Sequence, residues 1–438
     1  MKTDSIHNLK TFPKAFWSAN IVELFERAAY YALFITITLY LTNLVGFNDV
    51  NAAWISGVFS AGLYFLPPFM GAVADRIGFR NALLVAFSLL SLGYFLLGAF
   101  PYKLIVLPAL VILMFGGSFI KSVITGTVAK TTTESNRAKG FSIFYAMVNV
   151  GSFSGKTFAY PLRVTLGVEY INFFSAASTL IALVVVFFFY KNVSSSESKR
   201  SSKELITGLV KILSNFRLLL LILIVTGFWM IQHQLYATMP KYIIRTVGKN
   251  ASPEWIANVN PLIVVLCVVL ITKLMRHRTA LFSMTVGMFL MPLSALCMAM
   301  SYVLEKIAGK EISVFSVVTA HPITIMLIVG IVFQALAECF ISPRYLEYFS
   351  LQAPKGEEGL YLGFSHLHSF LASILGFGLS GYLLTAYCPD PKTLTPQQML
   401  TAYDDAYMIW FYFAGIGMIA AIALIAYSRK YRVVNAVD

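Results

Sequence analysis

Residues 15–43 read AFWSANIVELFERAAYYALFITITLYLTN. The stretch is longer than the about 20 apolar residues that cross a bilayer as a helix, yet Glu23, Glu26 and Arg27 sit in its middle. In a helix Glu23, Glu26, Arg27, Tyr30 and Tyr31 fall at i, i+3, i+4, i+7 and i+8, which places all five on one face. Each ionisable side chain within a span costs about 2.5–3.5 kcal/mol on insertion scales. A helix that is apolar elsewhere and charged along one stripe must turn that stripe toward protein or water. The stretch therefore asks for a bundle of spans around a polar interior.

The remainder of the chain supplies that bundle. Of its 438 residues 58% are hydrophobic and 12% are charged, with mean hydropathy +0.75. Soluble domains carry about a quarter charged residues, so a soluble globular protein is excluded. Apolar segments recur at 15–43, 53–74, 82–100, 104–128, 140–162, 170–190, 218–239, 255–275, 279–303, 322–350, 359–386 and 406–428. Twelve spans put both termini on one side of the membrane. Lys103, Arg163, Lys241, Arg245, Lys249, Lys306, Lys310 and Lys392 fall on the other side, and Arg27, Lys121, Lys156 and Arg344 lie within spans. The other twenty-one of the 33 Lys and Arg residues lie with the termini, which the positive-inside rule places in the cytoplasm.

The net charge of +13 is thus topological, and no nucleic-acid partner is expected. The longest connection, with SSSESKRSSK at 194–203, is polar, Ser-rich and basic and divides the spans six and six. The fold expected is an all-α membrane protein of twelve transmembrane helices in two six-helix bundles. It comprises an N-terminal bundle at 1–190, a cytoplasmic linker at 191–217 and a C-terminal bundle at 218–438. Such a repeat places a substrate site near the midplane between the halves. Cys267, Cys297, Cys339 and Cys388 are scattered singly, so neither a disulfide framework nor a metal site is expected. The N-terminus, with Lys2, Lys10 and Lys14 ahead of a charged span, has no clean apolar core or cleavage site of a removable signal peptide.

Further charges lie where a membrane should exclude them. Lys121 follows LMFGGSFI in the fourth span with no acid in reach on its own helix, so Glu23 or Glu26 is its expected partner. Glu338 lies in FQALAECFISP of the tenth span, ahead of Pro343, and a lone buried carboxyl suits a group that takes and releases protons. Lys156, Arg344 and Glu347 complete the set, each close enough to an interface to snorkel. His233 lies mid-span between Gln232 and Gln234, open either to proton handling or to a hydrogen-bonded cavity role. Trp229 can shape a pocket or pack against a neighbouring helix. His366 and His368, two residues apart on a helix, point apart and make no metal pair. The Ser, His and Cys residues show no spacing of a nucleophile with its base, so no enzyme is expected.

After the second span the chain reads GAVADRIGFR at 71–80. Gly71 allows close helix approach, Asp75 can cap or pair at a helix end, and Arg76 and Arg80, flanking Gly78, anchor the loop to the cytoplasmic side. This spacing resembles the signature loop of the major facilitator superfamily, whose implied role is gating by charge contacts between helices. The chain is further similar to the proton-dependent oligopeptide transporters, a branch of that superfamily. There the first span carries E-x-x-E-R and an aromatic pair, matched by VELFERAAYY at 22–31. Tyr64 before Pro67 in the second span, Lys121 after a Gly-rich turn, and Phe144, Tyr145, Asn149 and Gly151 in the fifth span follow the same pattern. Asn260-Pro261, Glu338, Ser342-Pro343 and Ala353-Pro354 extend it through the second half.

The resemblance implies a proton-coupled secondary active transporter that imports di- or tripeptides or peptide-like small molecules by alternating access. It implies that Glu23, Glu26, Arg27 and Lys121 couple protons to gating and engage a substrate carboxylate, with Glu338, Asn149 and Asn260 at the amino end. Tyr30, Tyr31, Phe34, Tyr64, Tyr145, Trp229, His233 and Ser342 complete the expected substrate lining. Protons are the expected coupling ion, with no other cofactor. A small-molecule substrate and the lipid bilayer are the expected partners, and a monomer in a bacterial inner membrane is the expected setting. The chain departs from the pattern at Phe34, where many peptide carriers have a second arginine, at His233 in place of a seventh-span acid, and at Ser365 in place of a tryptophan. The linker is also too short for the extra helical hairpin of many bacterial members. These departures leave open an alternative, a proton-coupled carrier of another small amphoteric or anionic metabolite or drug.

Overall fold

The structure, a computed structural model, describes residues 12–133, 136–192, 202–314, 318–354 and 357–431. Lys2, Lys10, Lys199, Arg200, Lys355 and Arg432, and the linker residues 193–201, lie outside the described residues. The first span is a helix over Lys14–Leu39 that runs on through a π-helical turn, Tyr40–Leu44. Asp49–Phe65 and Pro67–Ile77 form a second span bent by 50°. The bend falls where Pro67 and Pro68 remove two backbone donors from the ladder. Phe79–Ala99, Lys103–Lys130, Arg137–Thr165 and Glu169–Phe189 follow. A shorter helix, Ser202–Ser214, precedes the seventh span, Phe216–Ala237, which continues beyond a break into Met239–Thr246. The remaining spans are Pro253–Leu274, Ala280–Ala308, Pro322–Leu351, Leu360–Tyr387 and Met408–Lys430.

Among the described residues ten helices are long and apolar enough to cross a membrane, or up to eleven with the bent pair taken as one span. The fifth segment expected from the sequence, Arg137–Thr165, is 29 residues long but too polar to meet that test. Of its polar groups, Ser152 and Lys156 are buried. A short antiparallel hairpin, Ile312–Val314 with Val318–Ala320, joins the ninth and tenth spans, with Ile312 opposite Ala320.

Two compact units emerge, one from Met1–Phe34 with Gly62–Thr207, the other from Ile35–Ala61 with Gly208–Asp438. They differ from a division of the chain into 1–190, 191–217 and 218–438 because the far ends of the first two spans belong with the second half. Small residues explain that attachment. A Cβ on Gly57 would stand 2.9 Å from the Ser373 carbonyl oxygen, and one on Gly381 would stand 2.8 Å from Ala53 Cβ. Ser60 and Ser373 share a hydroxyl hydrogen bond of 2.9 Å in the same seam.

In the first unit the fifth span lies against the first through Gly151 and Gly155. A Cβ on Gly155 would fall 2.1 Å from the Ala28 carbonyl oxygen, and one on Gly151 2.5 Å from that of Leu24. Backbone occupies both places, so a side chain cannot be accommodated by rotation alone. Gly155→Val is expected to lower stability by about 1–3 kcal/mol through overpacking, read as a lower melting temperature in detergent. Gly415→Val, where an added Cβ meets nothing within 4 Å, serves as the control. Equal melting of the two variants would contradict the close helix approach.

Candidate functional site

The uninterrupted first helix sets the charged stripe in the core of the first unit. Glu23 and Glu26 are buried, and Arg27 pairs with both, its Nε lying 3.2 Å from Glu23 Oε1 and in direct ion contact with Glu26. The second oxygen of Glu23 is buried with no hydrogen-bond partner. One turn on, Arg27 lies over the Tyr30 ring at 5.4 Å, and Tyr30 stacks on Phe34 at 5.1 Å. Tyr31 packs edge-on against Tyr30, and the Lys156 ammonium lies 5.5 Å over the Tyr31 ring.

Lys121 departs from its expected ion pair. Arg27, on the same helix as both glutamates, holds them, and Lys121 instead rests its ammonium 5.1 Å over the Tyr64 ring. Among the described residues no carboxylate reaches it at ion-pair distance, although attraction from Glu23 and repulsion from Arg27 both act on it. Tyr145 is 60% exposed, and the Asn149 amide donates to the Tyr145 carbonyl of its own helix at 2.8 Å. In the loop after the second span Gly78 adopts φ +86°, a left-handed conformation that favours glycine. There Arg80 donates to the Phe187 carbonyl at 2.8 Å, while a Cβ on Gly71 would meet Ser122 Cβ at 3.1 Å. Asp75 and Arg76 make no ion pair among the described residues.

The second unit holds its own polar cluster. Glu338 Oε2 accepts from Gln232 Nε2 at 3.0 Å and from Asn260 Nδ2 at 3.4 Å, so neutral amides from two helices fix the carboxylate. One turn along the tenth span, the Ser342 hydroxyl is buried without a partner. His233 is buried within the seventh span, at the C-cap of its first stretch, Phe216–Gln232, with Nδ1 3.4 Å from the Ser373 hydroxyl. Trp229 lies against His368, ring centroids 5.3 Å apart, and His368 meets Tyr345 edge-on at 4.7 Å. Tyr345 in turn donates to the Ser365 carbonyl at 2.9 Å. His366 and His368 ring centroids are 6.0 Å apart, and among the described residues no group of three or more His, Cys, Asp or Glu could hold a metal ion.

A charge cluster in the second unit escaped the sequence reading. Asp49 receives Lys241 Nζ at 2.7 Å and two guanidinium nitrogens of Arg245 at 2.8 and 2.9 Å, with all three side chains buried. Arg245 also donates to the Cys388 carbonyl at 2.6 Å. Lys241 and Arg245 read as topological charges in the sequence. Their i, i+4 spacing was the available signal, with nothing in the sequence to link them to Asp49, 192 residues away from Lys241. Gln232, Tyr345, His368 and Ser373 were likewise not legible as parts of one cluster, because their contacts join helices far apart in the chain.

Spans with inward-facing charges in two compact units make this an integral, multi-pass helical membrane protein. A family model of the Major Facilitator Superfamily matches residues 20–310, more than half of the chain. The chain belongs to that superfamily. It is similar to dipeptide and tripeptide permease B of Aliivibrio fischeri (strain MJ11), 28% identical over 162 residues, which are 36% of this chain and 33% of the relative. A second permease B, from Photorhabdus luminescens, is 28% identical over 144 residues, 32% of this chain and 30% of that protein. The chain thus matches about a third of the length of these relatives. Its fold is that of a POT family transporter solved in complex with 5-aminolevulinic acid, with TM-score 0.76 and 17% identity over 96% of this chain and 99% of that one. An auto-inhibited POT family peptide transporter gives TM-score 0.75 and 18% identity, covering 97% and 99%.

Proposed function

We propose that the chain is a proton-coupled importer of di- or tripeptides or peptide-like small molecules, working by alternating access between an N-terminal and a C-terminal bundle. The observation that carries this reading is the buried Glu23, Glu26 and Arg27 group, in which one guanidinium serves two carboxylates and a Glu23 oxygen lacks a partner. A buried carboxylate oxygen without a donor is unstable when charged, and a proton arriving there relieves it. Protonation then loosens one of Arg27's two attachments, a change through which proton binding can act on the helix. Lys121, with no ion-pair partner among the described residues, is the cation a substrate carboxylate would meet. Glu338, held by amides, is the anion a substrate ammonium would meet.

The relatives named as dipeptide and tripeptide permeases support the substrate class. A second reading, transport of another small amphoteric metabolite, draws support from Phe34. That side chain is only 3% exposed and packs on Tyr30, so no guanidinium stands at that turn. A solved structural relative's complex with 5-aminolevulinic acid is consistent with such a ligand. On either reading protons are the coupling ion. The protein would act as a monomer in a bacterial inner membrane with both termini cytoplasmic.

Glu338→Gln tests the assignment of the amino end. A charged hydrogen bond is worth about 1.5–3 kcal/mol, so the variant is expected to bind a dipeptide with a free amino group roughly tenfold to a hundredfold more weakly. Competition by an N-acetylated dipeptide should change little. Equal competition by the free dipeptide in parent and variant would remove Glu338 from the site.

A further inference from the structure

The helix Ser202–Ser214 carries three faces where an amphipathic helix needs two. At about 100° per residue, Leu205, Gly208 and Ile212 share one face, and Leu205 and Ile212 are buried. That face is docked on protein. A Cβ on Gly208 would fall 2.2 Å from Leu360 Cδ2, and Lys211 Nζ lies 2.8 Å from each carboxylate oxygen of Glu357. The Glu357 carboxylate holds the Lys211 ammonium above the ordinary lysine range. The helix is thereby fixed to the connection between the tenth and eleventh spans.

The other two faces differ in chemistry. Lys203, Glu204, Thr207, Lys211 and Ser214 make the polar one. Between the polar and the docked faces runs an aliphatic stripe, Ile206, Val210 and Leu213, which are 53%, 56% and 42% exposed. Fully burying one such side chain is worth about 1.5–3 kcal/mol, so three in a row would be a liability in water. The stripe ends at Leu213, just ahead of Phe216, which with Leu223 is exposed on the lipid-crossing seventh span, and Lys203 borders it on the polar side. An exposed apolar strip edged by lysine, on a helix joined through a single residue to a lipid-crossing span, has the chemistry of a helix lying in the headgroup layer.

We propose that Ser202–Ser214 is an interfacial helix, its Ile206–Val210–Leu213 stripe seated in the acyl boundary and Lys203 against anionic lipid headgroups, so that it tethers the connection at Glu357 and Leu360 to the bilayer surface. The proposal does not depend on what the protein transports. Its test uses the full chain reconstituted in vesicles of phosphatidylcholine with 30% phosphatidylglycerol, either lipid brominated near the headgroup. Tryptophan placed at the stripe (Val210→Trp), on the polar face (Thr207→Trp) and on the seventh span (Leu223→Trp) reports contact with bromine after the parent signal is subtracted. Val210→Trp should be quenched about as strongly as Leu223→Trp, and Thr207→Trp far less. Brominated phosphatidylglycerol should quench at position 210 more than its share of the lipid. One lysine near an anionic surface is worth about fivefold, so adding Lys203→Glu should reduce that enrichment several-fold. An unquenched Val210→Trp overturns the proposal, including one whose emission is blue-shifted because a second copy covers the stripe. Quenching by the two lipids in proportion to their shares, both in the presence and in the absence of Lys203, overturns the headgroup assignment.

Discussion

Vesicles carrying Glu26→Gln are expected to exchange substrate across the membrane yet to accumulate none against a gradient. In the parent, Arg27 is held by Glu23 at 3.2 Å and by Glu26 in direct contact. A glutamine keeps the volume and a hydrogen-bond acceptor but can neither carry a charge nor gain a proton at this pH. Glu23 is then the one charged partner of Arg27, which disfavours a proton on Glu23, so the proton-dependent shift of Arg27 between two carboxylates is lost. The expected effect is complete loss of driven uptake, with counterflow retained. Equal loss of both activities in a folded variant would undo the coupling role and leave Glu26 a structural carboxylate.

Asp49→Ala is expected to have the largest effect on stability. Lys241 and Arg245 are both buried against this one carboxylate. Removing one partner of a buried ion pair costs about 3–5 kcal/mol, because a charge is left without compensation, and here Lys241 is stranded and Arg245 loses its nearest acid. Asp390, 4.0 Å from Arg245, leaves that cation a long second contact, whereas Lys241 pairs with Asp49 alone among the described residues. The measurement is the melting temperature of the purified protein, with Asp49→Ala combined with Lys241→Met as the second variant. The double variant should recover part of the loss, since one stranded charge is gone. Melting of Asp49→Ala at the parent temperature would show that the cluster contributes nothing.

Much of the first unit's chemistry was legible because a helix writes its faces into the sequence. Glu23, Glu26, Arg27, Tyr30 and Tyr31 needed only the 3.6-residue period to be placed together, and the structure places Arg27 against both acids. Partners across helices were harder. Lys121 was assigned a glutamate because it lacked one locally, but Arg27 reaches both carboxylates from one turn or less away, and the lysine settles over Tyr64. Glu338 was visible as a lone acid, whereas its Gln232 partner was not, because the two lie 106 residues apart on different helices. Asp49 was missed for a related reason. At the start of a span it reads as an interfacial residue, and only the attachment of Ile35–Ala61 to the second half brings it to Lys241 and Arg245. Of the twelve expected segments, ten, or eleven with the bent pair, are long and apolar enough to span among the described residues. The polar fifth helix met the expectation by length, with Lys156 and Ser152 turned into protein.

Uptake of labelled dialanine into proteoliposomes under an inward proton gradient, with and without a protonophore, tests the central reading most directly. Accumulation above the external concentration that collapses when the protonophore is added is the predicted result. Uptake that stops at equilibrium and is indifferent to the protonophore would contradict proton coupling. With folded protein, the absence of any dialanine entry would contradict the peptide as substrate.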